Sequence, residues 1–178
     1  MTREDDPWIV AEVAELRKQG ARVAKLHAHE LRQPASLFAA FARELSFPGY
    51  FGHNWDALVD CLHDWHGHDT ADQALVVLIE EADELIGAEF LGLFVSALCQ
   101  AAWHANRQLD ADGIPHEDRP PFALHFVFLL ARAEPAAWAE PVAAGPDVGV
   151  ALTDGRLSAT LIGEDGPMLT QHVPSEQV

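Results

Sequence analysis

Apolar positions recur along this chain in two rhythms, one helical and one extended, and their order predicts the architecture. From Trp8 to Lys18, the residues Ile9, Val10, Val13 and Leu16 fall at helical spacing, and Gly20 ends that helix. Arg22 to His29 alternates instead, with Ala24, Leu26 and Ala28 on one side and Val23, Lys25, His27 and His29 on the other. That is the pattern of a half-exposed strand. Pro34 opens a helix to about Ser46 that buries Leu37, Phe38, Phe41 and Leu45. Leu75-Val-Val-Leu-Ile79 is a continuous apolar run between Asp72 and Glu80, which suits a strand covered on both faces. Ala88 to about Gln108 is helical again, with Phe90, Leu91, Phe94, Val95, Leu98, Cys99 and Ala102 on a broad apolar face. Pro, Gly and Asp then crowd Asp110 to Pro121, marking an exposed loop, before Phe122 to Leu130 returns as a second buried strand.

Three strands separated by helices predict an α/β fold, a small two-layer or three-layer domain whose three-stranded sheet is mainly parallel. Residues 1–20 read as an N-terminal helical extension, 21–131 as the domain and 132–178 as a C-terminal extension. In that extension Val148, Val150 and Leu152 alternate toward Asp154-Gly155, and Leu157, Ala159 and Leu161 follow, predicting a hairpin over 147–162. Pro167 to Val178 reads as a frayed tail, and no internal repeat is visible.

Composition narrows the function classes. The 178 residues suffice for one domain with a substantial core. With 28 acidic against 11 basic residues, the formal net charge is -17, which repels phosphate backbones and makes basic proteins the natural partners. Trp8 to Leu16 has no basic leader or cleavage site, and no apolar run reaches the ~18 residues needed to span a bilayer. A cytoplasmic protein without a signal peptide or membrane contact is the expectation. Cys61 and Cys99 each lie on the apolar side of a predicted helix, as packed, reduced thiols.

The densest chemistry lies between Phe47 and Trp65. An aromatic turn, Phe47-Pro-Gly-Tyr-Phe-Gly-His, leads to Asn54, a plausible N-cap, and then to a helix. Trp55, Leu58, Val59, Leu62 and Trp65 recur at helical spacing, while Asp56, Asp60, His63 and Asp64 fall on the opposite side as an acidic ridge. No Gly-x-Ser-x-Gly elbow or phosphate-cradling glycine loop is present, and Asp56 with Asp60 lies on an exposed helix rather than in a cleft. The chain does not read as an enzyme. His63, His66 and His68, or His27 with His29, include zinc-ligand residue types, but His63-x-x-His66-x-His68 crosses a helix end at Gly67 and no Cys joins it. They read as surface histidines, with no metal or cofactor assigned.

The order Pro48, Tyr50, Gly52, Asn54, Asp56, Ala57, Leu58, Asp60, Cys61, Leu62, Trp65 resembles the turn and binding helix of the barstar family, inhibitors that plug the active sites of barnase-type ribonucleases. Weaker agreement in element order runs from about Ala21 to Leu130. The resemblance implies a barstar-like domain and a partner-binding set of Tyr50, Asn54, Asp56, Val59, Asp60, Asp64 and Trp65. Asp60 would be the central carboxylate entering the nuclease pocket in place of RNA phosphate. Asp56 would take a second cation, and Tyr50 would offer its ring to a catalytic histidine. Gly52 is expected to serve a turn with positive φ. Two departures stand out. Val59 occupies a position where the family often has an aromatic residue, and the long helix carries no acid between Glu89 and Gln108, where the family supplies a second anchor. Asp64, Glu80, Glu81, Asp83 and Glu84 are the candidates to replace it. The implied function is inhibitor or immunity protein against a basic extracellular-type ribonuclease or similar toxin. The alternatives are a barstar-fold adaptor for a non-nuclease basic protein and, more distantly, a metal-dependent hydrolase.

Overall fold

A computed structural model describes residues 1–65, 74–107 and 122–162. The expected parallel sheet is there, with Arg22–His27 (β2), Ala74–Glu80 (β3) and Ala123–Leu130 (β4) paired in parallel, β3 in the middle. It has one strand more than the pattern predicts. Thr2–Arg3 (β1) pairs in parallel with Leu129 and Leu130, giving the order β1-β4-β3-β2. Two residues carry no periodicity, so this strand exists only through its long-range pairing.

The continuous apolar run of β3 follows from burial on both faces. Val76 and Leu78 pack with Ile9 and Val13 of Pro7–Lys18 (α1), while Leu75, Val77 and Ile79 point into the main core. That core is closed by Pro34–Leu45 (α2), Trp55–His63 (α3) and Leu91–Arg107 (α4), so the layers are helix, sheet, helices. Leu37, Phe41, Leu58, Leu62 and Phe94 are fully buried there, each worth roughly 1.5–3 kcal/mol of transfer free energy. Strand β2 stops at His27 rather than His29. Ala28–Leu31 forms a 3-10 turn whose Ala28 and Leu31, three apart and both fully buried, draw the chain inward. Cys61 and Cys99 are free thiols.

The C-terminal part packs onto the main core. A 3-10 turn, Pro135–Trp138, and a short helix, Ala139–Ala143 (α5), bury Trp138 and Val142 completely. The hairpin is present as Val148–Thr153 (β5) and Arg156–Leu161 (β6), closed by Asp154 (φ 51) and Gly155 (φ 73), the two left-handed residues that a type I′ turn requires. Val148 and Leu157 reach the main core, and Leu157 exchanges backbone hydrogen bonds with Met1. The predicted loop from Asp110 to Pro121, the tail from Pro167, and His66 and His68 lie outside the described residues. No helix among the described residues is long and apolar enough to cross a membrane.

Candidate protein-binding face

Helix α2 ends at Ser46, which takes the left-handed conformation (φ 55) and sends the chain into the aromatic turn. Phe51 anchors that turn. It is buried, with its ring 5.1 Å from Phe47 and 6.3 Å from Phe38, centroid to centroid. Tyr50 beside it has no such packing and is 86% exposed. Asn54 then caps α3, its Oδ1 accepting the Ala57 N–H at 2.8 Å. The positive φ expected at Gly52 occurs one residue later, at His53 (φ 50). What Gly52 supplies is room, because a Cβ there would lie 3.1 Å from Asn54 Nδ2 and 3.5 Å from Ala57 Cβ. His53 was not singled out in the sequence. Its Nδ1 lies 2.9 Å from the Phe51 carbonyl and its ring 4.7 Å from Phe51, so it braces the turn beside Tyr50.

Helix α3 is held from beneath. Leu58 and Leu62 are fully buried, and Trp55 sets its ring 4.9 Å from Phe38 and about 6 Å from Phe90 and Phe94. Asp56, Asp60 and Asp64, each four residues from the next, are all exposed, so the carboxylates of the expected ridge share one stripe of the helix. Asp56 sits in the first turn, where the helix dipole favours it, whereas Asp64 is the C-cap, where the dipole opposes it and the His63 imidazole lies 3.3 Å away. Val59 is half-buried against the core.

Two residues depart from the expected binding face. Trp65, implied to lie at the interface, is 7% exposed. Its indole Nε1 donates to the Leu45 carbonyl at 3.3 Å, the Arg22 guanidinium lies 5.6 Å from the ring centroid, and Phe122 packs nearby, so it is a core residue. His63 also leaves the ridge. It turns toward α4, where its ring lies 5.7 Å from that of His104. Burial and then His63 lower the pKa of His104, with the Asp60 carboxylate pulling the other way. Where the resemblance implies an acid on the long helix, α4 therefore brings a histidine. His104 was not legible as a site residue, since the register of α3 against α4 is a tertiary fact.

Most proposed replacements for the missing acid are engaged elsewhere. Asp83 accepts the backbone N–H groups of Ala131, Arg132 and Ala133 at 2.7, 3.1 and 2.5 Å. Glu80 pairs with Lys25, and Glu84 lies 3.8 Å from Arg32. Glu81 is exposed at the end of β3, which leaves Asp64 as the candidate on α3 itself. Burial pushes the Cys99 thiol up to about 11, and burial with Asp60 and Asp64 raises that of Cys61, so neither is a ready nucleophile.

A family model described as barstar (barnase inhibitor) matches residues 21–116, just over half of the 178-residue chain, including α2, the aromatic turn and α3. Among curated proteins, no significant match was found.

Proposed function

The chain belongs to the barstar family, and on that premise we propose that it inhibits a basic ribonuclease, as an inhibitor or immunity protein, by laying α3 and the Tyr50 turn over the active site. One observation carries the reading: Asp56, Asp60 and Asp64 project from one stripe of a capped, core-anchored helix that follows directly on an 86% exposed tyrosine. A ribonuclease must bind a phosphodiester with arginine, lysine or histidine, and a carboxylate offers the same cations charge-assisted hydrogen bonds. Asp60, central on the stripe, takes the phosphate position. Asp56 meets a flanking cation, and the Tyr50 ring covers a catalytic histidine while its hydroxyl remains free to hydrogen-bond. The Asn54 cap and the Phe51 and Trp55 anchors support the reading because a preordered face loses little entropy on docking.

The net charge of -17 favours a basic partner. The reading assigns no catalytic step and needs no cofactor, and it places the protein in the cytoplasm, where two free thiols stay reduced. The absence of acid along α4 and the presence of Val59 favour a second reading, an adaptor for a basic protein that is not a nuclease. Titrating the protein against a panel of barnase-type ribonucleases separates the two. Stoichiometric loss of RNA cleavage for at least one enzyme is expected. Full activity of all of them in excess protein would leave the adaptor.

A further inference from the structure

At the carboxyl end of the sheet, away from the acidic stripe of α3 in sequence and in fold element, three ligand-bearing side chains converge. His27 ends β2 and His29 follows two residues later, with Ala28 between them fully buried. Sinking Ala28 turns both imidazoles outward, and their rings stack with centroids 5.6 Å apart. Across the sheet, Glu80 is the register partner of His27, and the next residue, Glu81, takes a left-handed conformation (φ 56) as the chain leaves β3. One ligand atom from each of His27, His29 and Glu81 lies within 4.8 Å of the other two. Metal–ligand bonds of about 2.0–2.2 Å in a tetrahedral site bring such atoms to roughly 3.3 Å, a change within reach of exposed side chains by small torsional adjustment.

We propose that His27, His29 and Glu81 form a divalent metal site of the zinc type, with the fourth position open to water. The donor set selects the ion. Two imidazoles and one carboxylate suit zinc and its borderline neighbours, whereas magnesium and calcium demand mostly oxygen. A partner already stands behind one ligand. Glu80 Oε2 lies 3.5 Å from His27 Nδ1, a short shift from the carboxylate–histidine hydrogen bond that would hold the proton on Nδ1 and present Nε2 to a metal. Lys25 Nζ, 2.5 Å from Glu80 Oε1, fixes the other carboxylate oxygen. Glu81 neutralises one of the ion's two positive charges, and the other is offset locally. His27, Glu80 and Glu81 border a depression of about 580 Å³ that is also lined by Glu4 and Asp5, which lowers the electrostatic cost of a dication. Because the ligands come from the ends of β2 and β3, the site stands or falls independently of nuclease binding.

The test is calorimetric titration of chelator-stripped, full-length protein with zinc chloride, repeated with cobalt to read coordination from its visible absorption. One ion per chain and a tetrahedral cobalt spectrum are expected. His27→Ala and His29→Ala should each abolish both signals, Glu81→Gln should weaken binding, and Glu80→Gln should weaken it roughly 10–100-fold through His27 alone. His63→Ala, with His66→Ala and His68→Ala added, should leave the isotherm unchanged. Thermal melts of every metal-free variant should match the parent, which separates a lost ligand from a lost fold. Retention of stoichiometric binding by the His27→Ala/His29→Ala double variant, or its loss in the His63, His66 and His68 triple variant, would overturn the assignment.

Discussion

Asp60 is the side chain on which the inhibitory reading turns, and its surroundings let binding be separated from folding. It is exposed in the middle of α3, so truncation removes no packing and places a better helix former in the chain. In a complex it would face a desolvated nuclease cation, and deleting one partner of such a pair costs roughly 3–5 kcal/mol, or two to four decades in affinity. Asp64 differs. It caps the carboxyl end of α3 with His63 beside it, and a rim charge there contributes about 0–1 kcal/mol. Asp60→Ala should therefore weaken nuclease binding far more than Asp64→Ala while its melting temperature stays at the parent value. Dissociation constants and melts for both variants against one nuclease check this. Equal binding losses, or an unfolded Asp60→Ala, would show the face to be wrongly oriented. The residue scale also separates what helical spacing places from what the family resemblance adds. Spacing puts Asp56 and Asp60 on the exposed side and Trp65 on the apolar side, where it is buried, whereas the interface role implied for Trp65 by the resemblance is closed off because Leu45 and Arg22, distant in sequence, enclose it.

At the scale of elements, patterning is legible wherever an element's own residues decide its form. The β3 run, the Pro34 helix, α3 with its cap and the Asp154-Gly155 hairpin all follow from local chemistry. What escapes is set by contact between distant elements: β1, the inward turn at Ala28, the His63–His104 pair and the seam between α4 and the chain after α5. That seam is testable at Gly92. A Cβ added there would lie 2.5 Å from Gly145 N and 2.9 Å from its Cα, so backbone would have to move. Gly→Ala inside a helix ordinarily stabilises by up to about 1 kcal/mol, whereas overpacking costs about 1–3 kcal/mol. Gly92→Ala should accordingly destabilise, opposite in sign to its helix propensity, in a chemical denaturation curve. Asp83 ties β4 to the following segment in a comparable way. Burial alone would raise its pKa, but the N–H groups of Ala133, Ala131 and Arg132 outweigh burial and hold it below the usual carboxylate range. A depressed carboxyl contributes stability that is present above its unfolded value, roughly 3.9, and is lost as pH falls through the folded one. Asp83→Asn should then cost about 1 kcal/mol at neutral pH and flatten the fall of melting temperature below about pH 4 relative to the parent. An unchanged acid limb in the variant would assign that fall to other carboxylates.

For the whole molecule, the decisive quantity is the formal charge of -17 on 178 residues. It has two physical readings: solubility alone, or steering of a basic partner onto α3. Equilibrium affinity does not separate them, since both allow tight binding, but association kinetics does. Steered encounters reach about 10⁸–10⁹ M⁻¹s⁻¹ at low salt against about 10⁵–10⁶ without steering, and the gain fades as the Debye length shrinks from about 30 Å at 0.01 M to about 3 Å at 1 M. Dissociation starts from the docked state, where Asp60 and its cation are shielded from solvent ions, so it responds weakly to salt. Raising salt across that range should slow association with an inhibited ribonuclease by at least about tenfold and leave dissociation nearly constant. Stopped-flow mixing or surface capture gives both rates from one preparation. Removing Asp5 and Glu4, which lie by the strand ends rather than on α3, tests whether the field is global or local. If charge anywhere on the molecule steers, Asp5→Asn/Glu4→Gln should slow association measurably at low salt. If the stripe alone steers, only changes at Asp56, Asp60 and Asp64 should do so. An association rate indifferent to salt would assign the acidic surface to solubility and leave the docking energy to Tyr50 and the shape of α3.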